Sequence, residues 1–388
     1  MWMGACVSTI GTFVQQFAQS WLVYDLTKDP FYLGLDLFLG QLPIMLFSLV
    51  GGVFADRMDR RKMLLASQYI QMTCAFVLAI LFYTHTVHIW HILTLSFLVG
   101  VGQSFGGPAY SALLPSLVPP EDLTNAISMN SIQFNLARLI GPTLGGLAYT
   151  AFGATWCFAL NGLSFVAVIF SLFAITTQFA PPKTNVSVLT SMKEGFSFIR
   201  HREGLAPLVL LAFCTTLFGF SLTGFLPVIV RTIFHQGPKT YELLLVCSGA
   251  GSIVGALGVA ALEKLKGQAR LALLGMVALG LTTAGFALSK YLSLSCFLIF
   301  LTGMAVMASA SLLLSVVQLA VDDSMRGRVM SVYNIAIRAG IPLGALILGK
   351  LIPTVGIPIA VGGFGLILVA VAAYFLVVLR IPSFQRTS

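Results

Sequence analysis

The sequence predicts an all-α polytopic membrane protein, with twelve transmembrane helices arranged as two pseudo-symmetric six-helix bundles. Three observations carry that expectation. Hydrophobic residues make up 57% of the 388-residue chain and charged residues only 9%, with a mean hydropathy of +0.94, a balance outside the range of water-soluble domains. Apolar runs long enough to cross about 30 Å of hydrocarbon recur along the whole length. A shift of 203 residues brings glycines of the first half onto glycines of the second.

The runs fall at 3–25, 33–55, 63–84, 90–113, 125–151, 154–176, 205–230, 240–262, 269–289, 291–318, 327–351 and 356–379. Lipid cannot satisfy exposed backbone groups, so these runs are helices. A β-barrel would need alternating apolar and polar residues, which they lack. The first run has no basic residue ahead of it and no small-residue cleavage pattern behind it, and reads as a retained helix rather than a signal peptide. The longest polar interval, 177–204, divides the chain into an N-terminal bundle (1–176), a cytoplasmic linker and a C-terminal bundle (205–388). Inside the linker, Met192 to Arg202 sets Phe196 and Ile199 against Lys193, Arg200 and Arg202, the pattern of a helix lying on the membrane surface. The 203-residue shift pairs Gly52 with Gly255, Ser128 with Ser331, Gly141 with Gly344, Gly146 with Gly349 and Gly153 with Gly356. Two parallel copies of one bundle would place a cavity near the midplane and support alternating access by rocking.

Charge sets the orientation. Six charges (Asp56, Arg57, Asp59, Arg60, Arg61, Lys62) fall within seven positions; buried in hydrocarbon they would be very costly, so they mark a tight aqueous turn. With these spans, fifteen of the 22 Lys and Arg lie on the side of that turn, against Lys28, Arg231, Lys239, Lys290 and Lys350 on the other. The imbalance places both termini in the cytoplasm of a bacterial inner membrane. The net charge of +9 is therefore a topology signal and not a nucleic-acid footprint. There is no G-x-x-x-x-G-K-[ST] loop and no Ser/His/Asp or paired-carboxylate arrangement, so neither ATP use nor enzymatic chemistry is expected, and no cofactor. The six cysteines are scattered without a C-x-x-C pair and read as helix-packing residues. His85, His88 and His91 stand beside Trp90 without a carboxylate or cysteine, which suits a polar interfacial rim better than a metal site.

The turn Gly52-x-x-x-Asp56-Arg57-x-Asp59-Arg60-Arg61 resembles the signature between spans two and three of the major facilitator superfamily, with Asp59 where a glycine is usual. The resemblance implies that Gly52 admits a close helix neighbour. It also implies that Asp56, with Arg57, Arg60 and Arg61 around it, docks on the cytoplasmic start of span eleven as a conformational latch, where Arg326 and Arg328 and the positive helix end are the partners on offer. The alternative is a solvated turn that sets topology only. Span five reads Ala137-Arg138-Leu139-Ile140-Gly141-Pro142-Thr143-Leu144-Gly145-Gly146 and is similar to the antiporter motif of the same superfamily, with Ala137 replacing its first glycine. Gly141 and Gly145 make a small-xxx-small face and Pro142 removes a backbone donor; the resemblance implies export. The wording at 21–34, 107–126 and 325–334 resembles the branch of enterobactin exporters and macrolide efflux proteins, though the basic leader usual before span one is missing.

A proton-coupled exporter needs a group that binds protons and a cavity that prefers cargo in one state. Asp36 early in span two and Asp25 near the outer end of span one are the acidic candidates for proton coupling, each with a local structural role as the alternative. Arg138 in span five and Arg338 in span eleven are intramembrane charges that need an acceptor or an anionic substrate. Gln15, Gln16 and Gln19 in span one, Asn130, Gln133 and Asn135 in span five and Asn334 in span eleven are candidates for lining a wet cavity; interhelical hydrogen bonding is the alternative. The expectation is a monomeric secondary exporter of a small amphipathic molecule of drug, macrolide or siderophore type, driven by protons, in contact with lipid and not with nucleic acid. An importer or lipid flippase on the same scaffold, or a non-transporting receptor, are the competing readings.

Overall fold

The computed structural model describes residues 2–174, 188–202, 204–262 and 267–377. Lys183, Lys264, Lys266, Arg380, Arg386 and about half of the expected linker lie outside the described residues. The chain runs α1 Trp2–Thr27, α2 Pro30–Arg57, α3 Arg60–Tyr83, α4 Ile89–Leu113, α5 Leu123–Phe152, α6 Ala154–Phe173, α7 Val188–His201, α8 Leu205–Cys214, α9 Leu226–Thr232, α10 Pro238–Leu262, α11 Gln268–Leu288, α12 Leu292–Leu319, α13 Asp323–Val355 and α14 Ile357–Val377. A π-helical stretch, Thr215–Phe220, and a 3-10 turn, Ser221–Phe225, join α8 to α9.

Among the described residues, ten helical segments are long and apolar enough to cross a membrane. The first and fifth expected spans are helices of 26 and 30 residues that are long enough but fall outside those ten. Their apolar character is diluted by Gln15, Gln16 and Gln19 in α1 and by Asn130, Gln133, Asn135 and Arg138 in α5.

The chain divides into two compact units. One holds residues 1–185 and the six-residue stretch Gly237–Glu242; the other holds 186–236 and 243–388. In the N-terminal unit α1 packs on α5 and α6, α2 on α4, and α3 on α4 and α6. In the C-terminal unit α11 packs on α12 and α14, and α13 on α8 and the π-helical stretch. That unit's core gathers Leu205, Leu208, Met276, Leu279, Leu313, Val317, Val329 and Leu368.

Residues paired by the 203-residue shift hold matching places in the two units. Gly153 caps α5 and Gly356 caps α13, at φ +83° and +80° with ψ near 180°. This region of backbone space is open essentially to glycine alone. Gly141 abuts Phe13 of α1, and Gly344 abuts Leu217 and Ser221 at the start of the other unit. Gly255 lies against the Met304 backbone of α12, and the corresponding contact of α2 with α4 is made by Gly51 at the Ser104 backbone. Gly52 has no heavy atom within 4 Å of the place a Cβ would take, so the close approach expected of it belongs to its neighbour. One residue along a helix turns the side chain by about 100°, which carries Gly52 off the face that meets α4.

The charged turn is built into its unit. Asp59 caps α3, accepting from the backbone N–H of Arg61 at 2.9 Å and Lys62 at 3.3 Å, a task suited to a short carboxylate. Arg60 donates to Ala55 O (3.2 Å) and Ala112 O (2.9 Å), and Arg61 to Phe173 O (3.2 Å). Two adjacent arginines thereby satisfy carbonyls at the last turns of α2, α4 and α6, where helix C-termini leave acceptors open and favour cations.

The helix α7 is tied to its unit at two points. Ile199 is buried in the core while Phe196 stays exposed, and Gly195 meets the backbone of Arg328 at the start of α13.

Replacing Gly153 or Gly356 by Ala is expected to destabilise the protein by about 1–3 kcal/mol each. The effects should add, because the two glycines cap different helices in different units. Thermal midpoints of the detergent-solubilised single and double variants check this; an unchanged midpoint contradicts it.

Candidate functional site

The N-terminal unit contains a chain of hydrogen-bonded polar side chains. Gln15 and Gln19 stand one turn apart on α1, where residues four apart share a face. Gln15 Nε2 donates to Gln19 Oε1 at 3.3 Å. From α6, Asn161 Nδ2 donates to Gln15 Oε1 at 2.7 Å, and Ser164 Oγ donates to Asn161 Oδ1 at 3.2 Å. Gln19 Nε2 reaches the Asp36 carboxylate of α2 at 2.9 and 3.1 Å and the Ser96 hydroxyl of α4 at 2.8 Å. Ser96 Oγ donates to Asp36 Oδ1 at 2.5 Å. Each amide donates to the next group, and the carboxylate is the final acceptor.

Glycines let these helices come close enough. A Cβ at Gly11 would lie 2.5 Å from Ser164 Oγ and 2.9 Å from Asn161 Oδ1, so only glycine leaves room for α6 beside Gln15. Gly40 and Gly100 follow Asp36 and Ser96 by one turn each, and a Cβ on Gly100 would strike the Gly40 carbonyl and lie 3.1 Å from the Pro43 ring. The crossing of α2 and α4 at that point sets the Asp36–Ser96 distance.

Asp36 is 5% exposed and, among the described residues, has no cationic partner. Its donors are neutral. A serine hydroxyl can donate to a carboxylate or accept from a carboxylic acid, so the same geometry accommodates either form of Asp36. Six residues separate it from Pro30 at the start of α2, a rise of about 9 Å.

The other expected residues are distributed differently. Asp25 pairs with Lys28 at 2.5 Å near the end of α1. Gln16 is exposed, pointing away from Gln15 and Gln19. Gln133 Nε2 donates to Thr9 Oγ1 at 2.9 Å while its Oε1 is buried without a partner. Tyr110 OH donates to Asn130 Oδ1 at 3.0 Å, and Asn135 Nδ2 donates to the Ser131 carbonyl one turn back at 2.9 Å. Asn334 and Arg338 are exposed on α13 and Arg138 is half-buried on α5. In the antiporter-like segment, Gly141 and Gly145 lie against Phe13 and Phe17 of α1, and Gly146 against Glu242 of the short stretch that belongs to the same unit. Tyr241 of that stretch stacks on Phe17 with ring centroids 4.7 Å apart.

The side chain of Asp56 lies outside the described residues. Arg57 beside it is exposed. In the C-terminal unit Arg326 pairs with Asp323 at 2.5 Å and Arg328 with Glu194 of α7 at 2.9 Å. The histidines serve the start of α4, where His91 Nδ1 accepts from the His88 backbone N–H at 3.0 Å.

Ser96, Asn161 and Ser164 escaped the sequence reading. Asn161 had a usable signal, being the one amide in an otherwise apolar helix. The serines had none, because small hydroxyl residues are common wherever membrane helices pack.

A family model described as transmembrane secretion effector matches residues 1–388. The chain is 23% identical to macrolide efflux protein A of Streptococcus pyogenes, the match covering 92% of this chain and 89% of that one. It is 24% identical to the staphyloferrin A transporter of Staphylococcus aureus, over 95% and 93% of the two chains. Among solved structures it resembles a nucleoside transporter with a TM-score of 0.72, at 14% identity over 96% of this chain and 98% of the other.

Replacing Gly100 by Ala is expected to cost about 1–3 kcal/mol, since the added methyl meets backbone that cannot yield. Gly107→Ala, whose Cβ would enter open space, serves as the matched control. Thermal midpoints of the two variants in detergent should therefore differ; equal midpoints contradict the tight crossing.

Proposed function

Because the chain belongs to the transmembrane secretion effector family of major facilitator transporters, we propose that it is a twelve-helix exporter of a small amphipathic organic molecule, exchanging it for protons. The two units would be six-helix bundles that alternate access across the bacterial inner membrane, with both termini in the cytoplasm. The observation that carries the coupling is Asp36, a buried carboxylate in a membrane helix with only neutral hydrogen-bond partners. An ionised group without a counter-ion in hydrocarbon is costly, and such groups mark ion pathways. Closed off from water, Asp36 is held best as the neutral acid. Opened to water, it can release its proton, and the differential between the two states is what couples proton movement to the conformational cycle.

The polar chain behind Asp36 gives that protonation a mechanical consequence. Ser96 changes from donor to acceptor when Asp36 gains a proton, and Gln19, Gln15 and Asn161 connect the change to α1 and α6. Export direction is supported by the antiporter-like segment of α5, whose Gly141 and Gly145 make a tight seam with α1. The names of the efflux relatives point the same way. Asp25, already paired with Lys28, is the weaker proton-coupling candidate.

The turn between α2 and α3 has a separate role in this reading. Asp56 is the latch that docks on the start of α13 in one state, drawing Arg326 or Arg328 away from Asp323 or Glu194. Arg60 and Arg61 hold the turn in place for it.

Everted membrane vesicles test the coupling. Asp36→Asn is expected to abolish accumulation of an efflux substrate driven by an imposed proton gradient while leaving substrate binding intact; full gradient-driven accumulation by the variant overturns the assignment. The latch is tested in intact cells, where Asp56→Asn is expected to lower efflux at equal expression. Unchanged efflux removes it.

A further inference from the structure

Each unit carries an arginine at the middle of a long helix. Arg138 is the sixteenth residue of α5, which has 30, and Arg338 the sixteenth of α13, which has 33. The two arginines do not coincide in the 203-residue register, which sets Arg138 against Ile341, but the residue types around them are alike. A proline follows four residues later (Pro142, Pro342), and a serine stands seven residues before (Ser131, Ser331). An asparagine lies about one turn back on each helix, Asn135 and Asn334. Next to each arginine runs a ridge of close contacts to an earlier helical segment of its own unit. Gly141 and Gly145 meet Phe13 and Phe17; Gly340 and Gly344 meet Thr216, Leu217 and Ser221.

On α5 the face opposite Arg138 is apolar and open at two points. Leu147 lies nine residues beyond Arg138 and Met129 nine before it, about two and a half turns away and so on the opposite face; they are 57% and 45% exposed. Leu147 also lines an apolar groove with Val7, Ile10 and Leu160. On α13 the opposite face is mixed: Ile347, nine residues beyond Arg338, is 42% exposed, while Val329, nine before it, is buried.

Among the described residues, neither Arg138 nor Arg338 has an ion-pair or hydrogen-bond partner. Asp323 and Glu194 are taken by Arg326 and Arg328, and Asp25 by Lys28. A guanidinium at mid-bilayer depth is costly to retain unless water or an anion meets it. A structural role would supply an acceptor, as backbone carbonyls do for Arg60 and Arg61, and none is present for either among the described residues. The planar fork of N–H donors matches a carboxylate or a similar two-oxygen anion.

We propose that Arg138 and Arg338 are charge-reading residues for the cargo, and that the exported molecule is an organic anion bearing carboxylate or comparable anionic groups. This rests on the export reading and narrows its substrate class. Each unit thus has its own anion-recognising group near the middle of a long helix. Neutral or cationic amphipathic molecules leave both charges unmatched and are poorer cargo.

Two xanthene dyes of similar size separate the charge requirement from the shape requirement: carboxyfluorescein, which is anionic, and rhodamine 6G, which is cationic. Fluorescence anisotropy with the purified full-length protein is expected to show binding of carboxyfluorescein. Arg138→Gln and Arg338→Gln should each weaken it about tenfold or more, the loss set by a charge-assisted hydrogen bond, and the Lys variants should weaken it less. Any rhodamine 6G binding should change less than twofold. A tricarboxylate should displace carboxyfluorescein from the unaltered protein and its trimethyl ester should not, a readout that needs no variant to fold. Equal loss of both dyes in the Gln variants, or displacement by acid and ester alike, overturns the proposal. If everted vesicles pump rhodamine 6G under a proton gradient while carboxyfluorescein neither binds nor accumulates, export stands and the anion proposal falls. Arginine-dependent anion binding without any gradient-driven accumulation supports the anion proposal and removes the export reading.

Discussion

The run of hydrogen bonds from Ser164 through Asn161, Gln15 and Gln19 to Asp36 ties together α6, α1 and α2, and Ser96 adds α4. In hydrocarbon no water can take over a lost partner, so each of these polar groups depends on its neighbour being in place. The helices that bring them together must approach closely, and that requirement fixes glycine at 11 and 100. The packing of the N-terminal unit and the state of Asp36 are thus a single problem.

The same constraint governs the charged turn between α2 and α3. Its arginines resemble a solvated topology marker in the sequence, yet Arg60 and Arg61 reach carbonyls of α2, α4 and α6. Asp59, a departure from the usual glycine of the family signature, caps α3. Charge at this position does two jobs. It suits an aqueous turn between two spans, and it satisfies helix ends that would otherwise have no donor.

Glycine positions show how the internal repeat works physically. Gly153 and Gly356 recur because both helices end in a backbone conformation that no side chain tolerates well. Gly141 and Gly344 recur because both lie where a helix crosses an earlier segment of its unit. A weak match between halves of the sequence therefore reflects strong local requirements, each satisfied by one residue type. Gly52 shows the limit of such matching, since the close contact belongs to Gly51 and a one-residue error in phase turns the side chain to another face.

Composition and spacing by themselves determined the helical membrane class, most span positions and the charged turn, because hydrophobic length is written along the chain, and the family followed from the resemblance of two short motifs. They also nominated Gln15, Gln19 and Asp36 as polar residues out of place in hydrocarbon. Only the tertiary structure decided that these three join Ser96 and Asn161 in one network, that Gln16 is left out, and that Asp25 goes to Lys28. Partners 60 and 146 residues apart in sequence are chosen by which helix faces meet. Which faces meet depends on glycines whose role appears only when a neighbouring backbone occupies the space a Cβ would need.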